Sequence, residues 1–251
     1  MTISIITVVF NNELIGSAIQ SVMEQDYKDV EYIIIDGGST DGTLAVIDSF
    51  KAHVSMLISE PDQGIYDAIN KGLAVATGDV VGILNADDVF ADHQVLSRVA
   101  MKFKTQPLVD AFYADIVFTE RHDISKITRY YSSAQFKPWM FRFGTAPAHP
   151  AFYAKRSLFY QYGNYSTDLE ISGDFDLILR FMLIHKIKTS YVNDVWVKMR
   201  LGGISTSGLT SIIKQNKEII ISCQRNGLFT FTPFVYAKYL FKWWGFIFKK
   251  N

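Results

Sequence analysis

The stretch that decides the fold is IIIDGGSTDGT, residues 33–43. Its isoleucines belong to an apolar run from Val30 to Ile35, which predicts a strand buried on both faces. The strand ends at Asp36, Gly37-Gly38-Ser39 predicts a turn, and Thr43 to Phe50 predicts a helix. A buried strand that ends in an acid and passes directly into a helix is typical of a parallel α/β sheet.

The same alternation of strands and helices is predicted on both sides of this stretch. We expect further strands at residues 3–10, 54–59 and 80–84 and a helix at 65–76, and this alternation predicts right-handed βαβ units. Beyond about residue 105 the rhythm changes. There the sequence predicts strands at 111–118, 126–131 and 189–200, helices at 175–185 and 211–225, and an irregular stretch at 136–149. We therefore expect an α/β fold with a mainly parallel, Rossmann-like central sheet flanked by helices and a C-terminal amphipathic helical tail.

Composition excludes several classes of protein. Of 251 residues, 49% are hydrophobic and 20% are charged, which excludes intrinsic disorder. Lys plus Arg and Asp plus Glu both number 25, so no global charge favours nucleic acid as a partner. The single cysteine, Cys223, excludes an internal disulfide and favours a reducing compartment. Since the first ten residues lack a basic leader and no apolar run reaches membrane-spanning length, we expect a cytoplasmic protein without a signal peptide.

Polar residues follow four predicted strands, at residues 7–11, 36–41, 60–63 and 85–88. In an open α/β sheet, ligands bind outside the carboxyl ends of the strands. One such Asp is more simply a capped turn, but four polar strand ends together favour a binding site. Adjacent carboxylates at Asp87 and Asp88 are compatible with a bound cation, or with the capped first turn of a helix.

Other nucleotide and hydrolase motifs are absent from the sequence. It has no G-x-x-x-x-G-K-[ST] loop, no G-x-G-x-x-G spacing after a strand and no G-x-S-x-G elbow. A phosphoaspartyl enzyme would need a second carboxylate two residues after Asp36, where Gly38 stands.

Residues 33–43 resemble the nucleotide-binding segment of family 2 glycosyltransferases of the GT-A fold, in the branch that makes bacterial polysaccharides. The resemblance continues through residues 4–11, 60–72, 78–79 and 85–88. The last of these segments resembles the family's Asp-x-Asp metal motif, with Asn85 in place of the first Asp. The resemblance implies a UDP-sugar donor and a divalent Mn²⁺ or Mg²⁺ ion on its diphosphate.

The resemblance also implies roles for residues of the first half. Asp36 would accept a hydrogen bond from the nucleobase imide, which suits uracil or thymine, and Asp87 would ligate the metal. Other nucleotide contacts would come from the first strand and from a helix pointing at the same rim, namely Thr7, Val9, Asn11, Asn70 and Lys71, with Asp88 a further candidate at the diphosphate. The alternative for Asn70 and Lys71 is a solvated helix face.

In the second half, residues 172–177 resemble the family's Glu-Asp segment, whose Asp is the general base. Gly173 replaces the Glu, so only the base carries over, to Asp174. Asp176 is the alternative to Asp174 and a candidate diphosphate or acceptor contact, unless it only caps the helix or pairs on it. His149 and Arg200 resemble residues of the polysaccharide branch and are candidate diphosphate or acceptor contacts, Arg200 beside a glycine loop at residues 202–205. The alternative for His149 is an ordinary loop residue.

From Ile219 to Asn251 the sequence carries no acid and many aromatic residues. If the chain is helical from Phe234, then one face carries Lys238, Lys242, Gly245 and Lys249 against an aromatic remainder. That pattern is typical of an interfacial helix, so we expect residues 234–251 to bind the inner face of the cell membrane. The alternative is a helix that docks on the domain or on a dimer partner.

Together these observations predict an inverting, metal-dependent glycosyltransferase that moves a hexose from a UDP-sugar to a glycan or lipid-linked saccharide in surface-polysaccharide synthesis. We expect a nucleotide-sugar-binding half at residues 1–105, an acceptor and catalytic half at 106–210, and C-terminal helices at 211–251. The alternative is a non-catalytic sugar-nucleotide or membrane-binding module that keeps the fold.

Overall fold

The computed structural model describes residues 1–202 and 208–238. Its first half alternates strands and helices as the sequence predicts. In chain order these elements are β1 (Ile3–Val9), α1 (Ile15–Met23), β2 (Val30–Asp36), α2 (Thr43–Ser49), β3 (Met56–Ser59), α3 (Ile65–Val75) and β4 (Val80–Ile83).

The second half mixes short strands, helices and irregular turns. Its elements are β5 (Val89–Phe90), α4 (Val95–Thr105), β6 (Ala111–Thr119), β7 (Ile127–Tyr131), β8 (Phe152–Lys155), α5 (Ser157–Tyr162), α6 (Gly173–Leu179), β9 (Thr189–Arg200) and α7 (Leu209–Arg225). Short 3₁₀ turns occur at Lys51–His53, Pro138–Phe143 and His149–Ala151, a π-helical turn at Arg180–Ile184 extends α6, and residues 232–238 are helical.

All the described strands join one sheet, in the order β3-β2-β1-β4-β8-β6-β9-β5, with β7 paired to β6. The first four in that order are mutually parallel, and β6 is parallel to β9. The antiparallel strand β8 lies between β4 and β6 and so joins the two halves of the chain. The expected α/β sheet flanked by helices is confirmed.

Alternate residues of each central strand pack on opposite faces of the sheet, because successive side chains of a strand point in opposite directions. On β1, Ile6 packs in the layer that contains α3 and α6, whereas Ile5 packs in the layer that contains α1 and α4. Both side chains are fully buried. Gly72 of α3 lies so close to β1 that a Cβ there would stand 2.5 Å from Ile6.

Several elements differ from the sequence-based expectation, and most of the predicted tail lies outside the described residues. Helix α6 begins at Gly173, two residues earlier than predicted, which puts Asp174 in its first turn. The short strands β5 and β8 were not predicted, since two and four residues carry too little periodicity. Of the predicted tail, only residues 234–238 are described, so the positions of Lys242, Gly245 and Lys249 lie outside the described residues. In the described part of the chain, helices are too short or too polar to cross a membrane.

Candidate active site

The loops that follow β1 and β2 are hydrogen bonded into one unit. Asn11 has a left-handed backbone (φ 47°), its N–H donates to Ser39 Oγ at 2.8 Å, and its Oδ1 accepts from the Thr40 N–H at 2.9 Å. The Gly37 N–H donates to the Val9 carbonyl at 2.9 Å. Two strand ends that the sequence separates by more than 20 residues thus form one rim, as their parallel pairing requires.

Asp36 lies at the centre of this rim, with its carboxylate fully buried. The carboxylate accepts hydrogen bonds from the N–H groups of Gly38 and Ser39 and, at 2.7 Å, from Ser59 Oγ. The hydroxyl of Thr7 is also buried and accepts from Tyr32 Oη at 3.1 Å. The described contacts of Asp36 therefore stabilise the turn, and its contact with a nucleobase stays a prediction.

The side chains of Asn70 and Lys71 on α3 hold neighbouring segments in place. Asn70 makes two hydrogen bonds to the backbone of Tyr165, at 2.9 and 3.0 Å. The Lys71 ammonium lies 2.8 Å from Glu60 Oε1 and donates to the Pro61 carbonyl, and its hydrogen bond to Glu60 raises the pKa of Lys71. Both side chains therefore have protein partners, unlike the side chains of a solvated helix face. Nucleotide contacts by Asn70 and Lys71 stay predictions.

The acidic segment after β4 contains two carboxylates in unlike environments. Asp88 is buried, accepting from Asn85 Nδ2 at 2.8 Å and from the Arg200 N–H at 3.3 Å. Burial raises the pKa of Asp88 to about 8, and the adjacent Asp87 adds to that rise. Asp87 is partly exposed, and among the described residues its carboxylate has no hydrogen-bond or ion-pair partner. Of this pair, Asp87 is therefore the carboxylate that can reach a ligand.

The metal implied by the resemblance can be tested against these residues. Within residues 1–202 and 208–238, no group of three or more His, Cys, Asp or Glu side chains is placed to hold a metal ion. Mg²⁺ bound with nucleotide substrates takes one or two protein carboxylates and completes its shell with phosphate oxygens and water. A single accessible carboxylate at Asp87 fits a metal of that kind, and the packing of Asp88 leaves that residue a supporting position.

The second acidic pair, on α6, shows the same division. Asp176 is fully buried, and its carboxylate accepts from five side chains, those of Ser166, Arg180, Ser222, Arg225 and Asn226. Burial alone would raise the pKa of Asp176, but these hydrogen bonds outweigh burial and lower it. Asp174 is partly exposed and accepts from its neighbour, the Phe175 N–H, and from Tyr66 Oη at 3.3 Å.

Aromatic side chains surround Asp174. Tyr66 Oη donates to the Ile171 carbonyl at 2.7 Å, and its ring stacks on Tyr165 with centroids 5.7 Å apart. Tyr165 Oη in turn lies 2.7 Å from Nε2 of His149, and burial lowers the pKa of His149 although Asp174 opposes the shift. His149, predicted from a loop motif, is thereby brought into the group around Asp174, with a neutral imidazole at pH 7.

The ring of Tyr66 occupies the space beside Gly173. A Cβ at Gly173 would stand 2.8 Å from two carbons of that ring. This is the position at which the resembling family has a Glu. In this chain the ring of Tyr66 lies against Gly173, and Asp174 is the accessible acid of the segment.

Three residues that support the site were missed from the sequence. Tyr66 lies in the segment 60–72 that carries the resemblance, without a predicted role, and Tyr165 has no local pattern that distinguishes it from core aromatics. Glu218 of α7 is buried and accepts from the N–H groups of residues 170, 171 and 172, so it holds the loop that leads into Asp174. The sequence pattern gave no signal for Glu218, because with about 3.6 residues per turn it falls on the side of the predicted helix opposite Ile212 and Ile220, yet the structure buries it.

Arg200 ends β9 beside the first acidic pair. Its N–H contacts Asp88, its guanidinium donates to the Arg121 carbonyl at 3.0 Å, and its side chain is buried. Of the predicted glycine loop, Gly202 has the left-handed φ of 105° that favours glycine, and residues 203–205 lie outside the described residues. The predicted site residues thus form three groups, around Asp36, around Asp87 with Arg200, and around Asp174 with His149.

Comparison with known proteins shows which family this chain resembles. The model of the family described as Glycosyl transferase family 2 matches residues 4–164. The chain is 27% identical over 198 residues to the "PGL/p-HBAD biosynthesis glycosyltransferase" of Mycobacterium tuberculosis strain H37Ra, covering 77% of this chain and 75% of that protein. It is 30% identical over 186 residues to an uncharacterized glycosyltransferase of M. tuberculosis strain H37Rv, covering 73% of this chain and 70% of that protein.

Solved structures share the fold at low sequence identity. The S. aureus TarS fragment 1–349 in complex with UDP-GlcNAc matches with a TM-score of 0.66 and 16% identity, over 88% of this chain and 66% of that one. The mannosyltransferase PcManGT from Pyrobaculum calidifontis, in complex with GDP-Man and Mn²⁺, matches with a TM-score of 0.67 and 18% identity, over 94% and 68%. The chain spans 39% of the longer TarS structure. Because the family model covers more than half of its length and its sheet has the same fold, this chain belongs to glycosyl transferase family 2, and it is a glycosyltransferase of the GT-A type.

Proposed function

We propose that this glycosyltransferase takes a hexose or hexose derivative from a UDP-sugar and transfers it, with inversion, to a glycan or lipid-linked saccharide in surface-polysaccharide synthesis. The observation that carries the proposal is the difference in exposure between the two acids of each pair. Asp87 and Asp174 are partly exposed, whereas Asp88 and Asp176 are buried and engaged by protein donors. Each acidic segment therefore offers one carboxylate to substrates.

In the proposed reaction Asp174 is the general base. Its carboxylate accepts the proton of an acceptor hydroxyl while that oxygen forms a bond to the anomeric carbon, and the bond from that carbon to the diphosphate oxygen breaks. Attack from the face opposite the leaving group inverts the anomeric configuration. The Tyr66 hydroxyl, whose proton is donated chiefly to the Ile171 carbonyl, lies 3.3 Å from Asp174 Oδ1 and is placed to limit the movement of that carboxylate.

On the donor side, Asp87 would hold a divalent Mn²⁺ or Mg²⁺ ion. Such an ion, when bound, neutralises charge on the diphosphate and makes it a better leaving group. The N–H of Arg200 keeps Asp88 in place behind Asp87, so the second acid supports the first without facing the ligand. Asn85, in place of the first acid of the family motif, supplies an amide donor to Asp88 and avoids a further carboxylate beside Asp87.

Two observations support a UDP-sugar donor. Asp36 and Asn11 lie at the adjacent ends of β2 and β1, where a nucleobase edge meets a parallel sheet. TarS has been solved with UDP and with UDP-GlcNAc, whereas PcManGT has been solved with GDP-Man and Mn²⁺, so the fold accommodates either base. An Asp acceptor at the base edge suits the imide N–H of uracil and disfavours adenine, so we place UDP first, with a GDP-sugar as an outcome of the test.

For the acceptor and the location, support comes from the sequence of the C-terminal segment. Residues 219–251 carry no acid and are rich in aromatic and lysine side chains, which suits attachment to an anionic membrane. We therefore propose action at the inner face of the cell membrane on a lipid-linked saccharide.

The test is a panel of nucleotide sugars assayed for donor hydrolysis, with and without EDTA. We expect turnover of one UDP-sugar, loss of turnover in EDTA and recovery when Mn²⁺ or Mg²⁺ is restored. Turnover that persists in EDTA would contradict the proposed metal dependence. Turnover restricted to a GDP-sugar would contradict uracil as the nucleobase of the donor. Binding of a nucleotide sugar with no turnover under any condition would favour the non-catalytic module.

A further inference from the structure

An aromatic cluster on the surface joins two segments that are far apart in the sequence. Trp139 packs edge-on against Phe143 at 5.9 Å, and Phe143 stacks on Phe234 at 5.0 Å. Phe231 and Phe229 continue the cluster, with Phe231 lying 4.3 Å from Phe234. We call these five side chains the aromatic cluster.

The aromatic cluster is open to solvent although its members are large and apolar. Trp139 is 53% exposed, Phe229 70% and Phe231 41%. Scattered single aromatics on a surface need no explanation, but exposed aromatics in mutual contact mark a surface that binds an apolar phase. Tyr160, by contrast, is an exposed aromatic side chain outside this cluster, whereas the rings of the cluster contact one another.

The cluster stands on a firm base. Thr230 Oγ1 donates to the Arg142 carbonyl at 2.5 Å. Val235 is fully buried and packs against Gly144, so closely that a Cβ on Gly144 would lie 3.1 Å from the Val235 side chain. These contacts fix the 138–143 turn against residues 229–236. The exposed rings are therefore presented by a structured surface rather than by loose loops.

The charge of the surrounding sequence favours one kind of partner. Between residues 126 and 167 and from residue 219 onwards the chain has no Asp or Glu, while Lys137, Arg142 and Lys238 occur in or beside the two segments. Beyond Lys238 the sequence has thirteen more residues, with six aromatic side chains and three lysines. A two-fold contact between copies would place these basic segments against each other, which like charges oppose. An anionic lipid surface satisfies both the rings and the charges.

We infer that the aromatic cluster is a membrane-docking surface, in which Trp139 of the catalytic half inserts into an anionic bilayer together with Phe229 and Phe231. The inference deepens the proposed membrane attachment, and it rests on the proposed function only in that the acceptor is lipid-linked. It adds to the C-terminal tail a contact made by the body of the enzyme.

Docking through this surface places the membrane next to the acceptor side of the site. The turn that exposes Trp139 buries Phe141, whose ring packs edge-on against Phe175 at 5.5 Å, and Phe175 follows Asp174 directly. One short turn thus contacts both the proposed bilayer and the residue beside the general base. A lipid-linked acceptor would meet Asp174 while its lipid remains in the membrane.

The experiment measures binding of the full chain to vesicles of phosphatidylcholine with phosphatidylglycerol, and to vesicles of phosphatidylcholine alone. The test variant is Trp139→Ser with Phe229→Ser. The matched control is Tyr160→Ser, which removes an aromatic ring that is 67% exposed outside the cluster. We expect the test variant to partition onto anionic vesicles roughly tenfold less than wild type, and the control to partition like wild type.

Thermal unfolding and donor hydrolysis are measured in parallel, and both should match wild type because the substituted rings are exposed and outside the donor site. This measurement separates the inference from the proposed function. If wild type hydrolysed no donor, that result would count against the proposed function alone. Equal vesicle binding by wild type and the test variant would overturn the inference. It would equally be overturned if sedimentation showed a dimer that the test variant dissociates, because the surface would then bind a second copy.

Discussion

The ring of Tyr66 and the backbone of Gly173 are in direct contact, so closely that a methyl group at Gly173 would stand 2.8 Å from two ring carbons. The ring cannot easily move away, because its hydroxyl is bound to the Ile171 carbonyl and its face stacks on Tyr165. Helix α3 of the donor half and helix α6 of the acceptor half thereby meet at the side of Asp174.

The first prediction concerns this contact. Gly173→Ala should lower the free energy of unfolding by about 1–3 kcal/mol through overpacking, more than the roughly 1 kcal/mol that alanine gains over glycine in a helix. Combining it with Tyr66→Leu should recover part of the loss, because the smaller side chain makes room for the methyl group. Urea unfolding of the two single variants and the double variant measures this coupling, and additive losses would contradict it.

The second prediction is that Asp87 is required for metal-dependent turnover. Asp87→Ala should abolish metal-stimulated donor hydrolysis and leave thermal stability near wild type, because the carboxylate has no described partner to lose. The matched control is Asp88→Asn. It should retain metal-stimulated turnover, because Asp88 is buried against Asn85 and Arg200 and burial already disfavours its charged form. Metal-stimulated turnover in Asp87→Ala equal to that of wild type would contradict the assignment.

A third prediction separates the two acids of α6. Asp174→Asn should reduce the transfer rate by about 10²–10⁴-fold at unchanged donor affinity, the usual contribution of a general base. Asp176→Asn should instead destabilise the fold by about 2–4 kcal/mol, since it removes charge from a carboxylate bound to Arg180 and Arg225. Single-turnover kinetics and unfolding of both variants distinguish the roles, and the reverse pattern would show that the base is Asp176.

Sequence patterns predict those parts of the candidate site that depend on residues close together in the chain. The strand ends at Asn11, Asp36 and Asp87 follow from alternation along the chain, because parallel strands bring their carboxyl ends together. The preference for Asp174 over Asp176 also came from the motif. The environment of Asp176 did not, since three of its five donors lie 46 to 50 residues away on or just after α7. No pattern in residues 172–177 records those partners.

A fourth prediction concerns acid. The pKa of Asp176 is lowered in the folded chain, so this group stabilises the fold at pH values above its unfolded pKa. That contribution is lost progressively as the pH falls through the acidic range towards the lower, folded value. Wild type should therefore lose stability below about pH 4 more steeply than Asp176→Asn does. Denaturant unfolding from pH 7 to pH 3 tests this, and parallel curves for the two proteins would contradict it.

Helix α7 reaches back to the catalytic segment at two places, through Glu218 to the loop before Asp174 and through Ser222 and Arg225 to Asp176. A ribosome makes the chain from its N-terminus, so residues 172–177 emerge well before these partners. The strands and helices of residues 1–105 can assemble first, but the segment that bears Asp174 has to wait until about residue 226 is free to fold. The proposed base therefore reaches its final setting only when residues 229–236, which carry part of the proposed docking surface, are emerging as well.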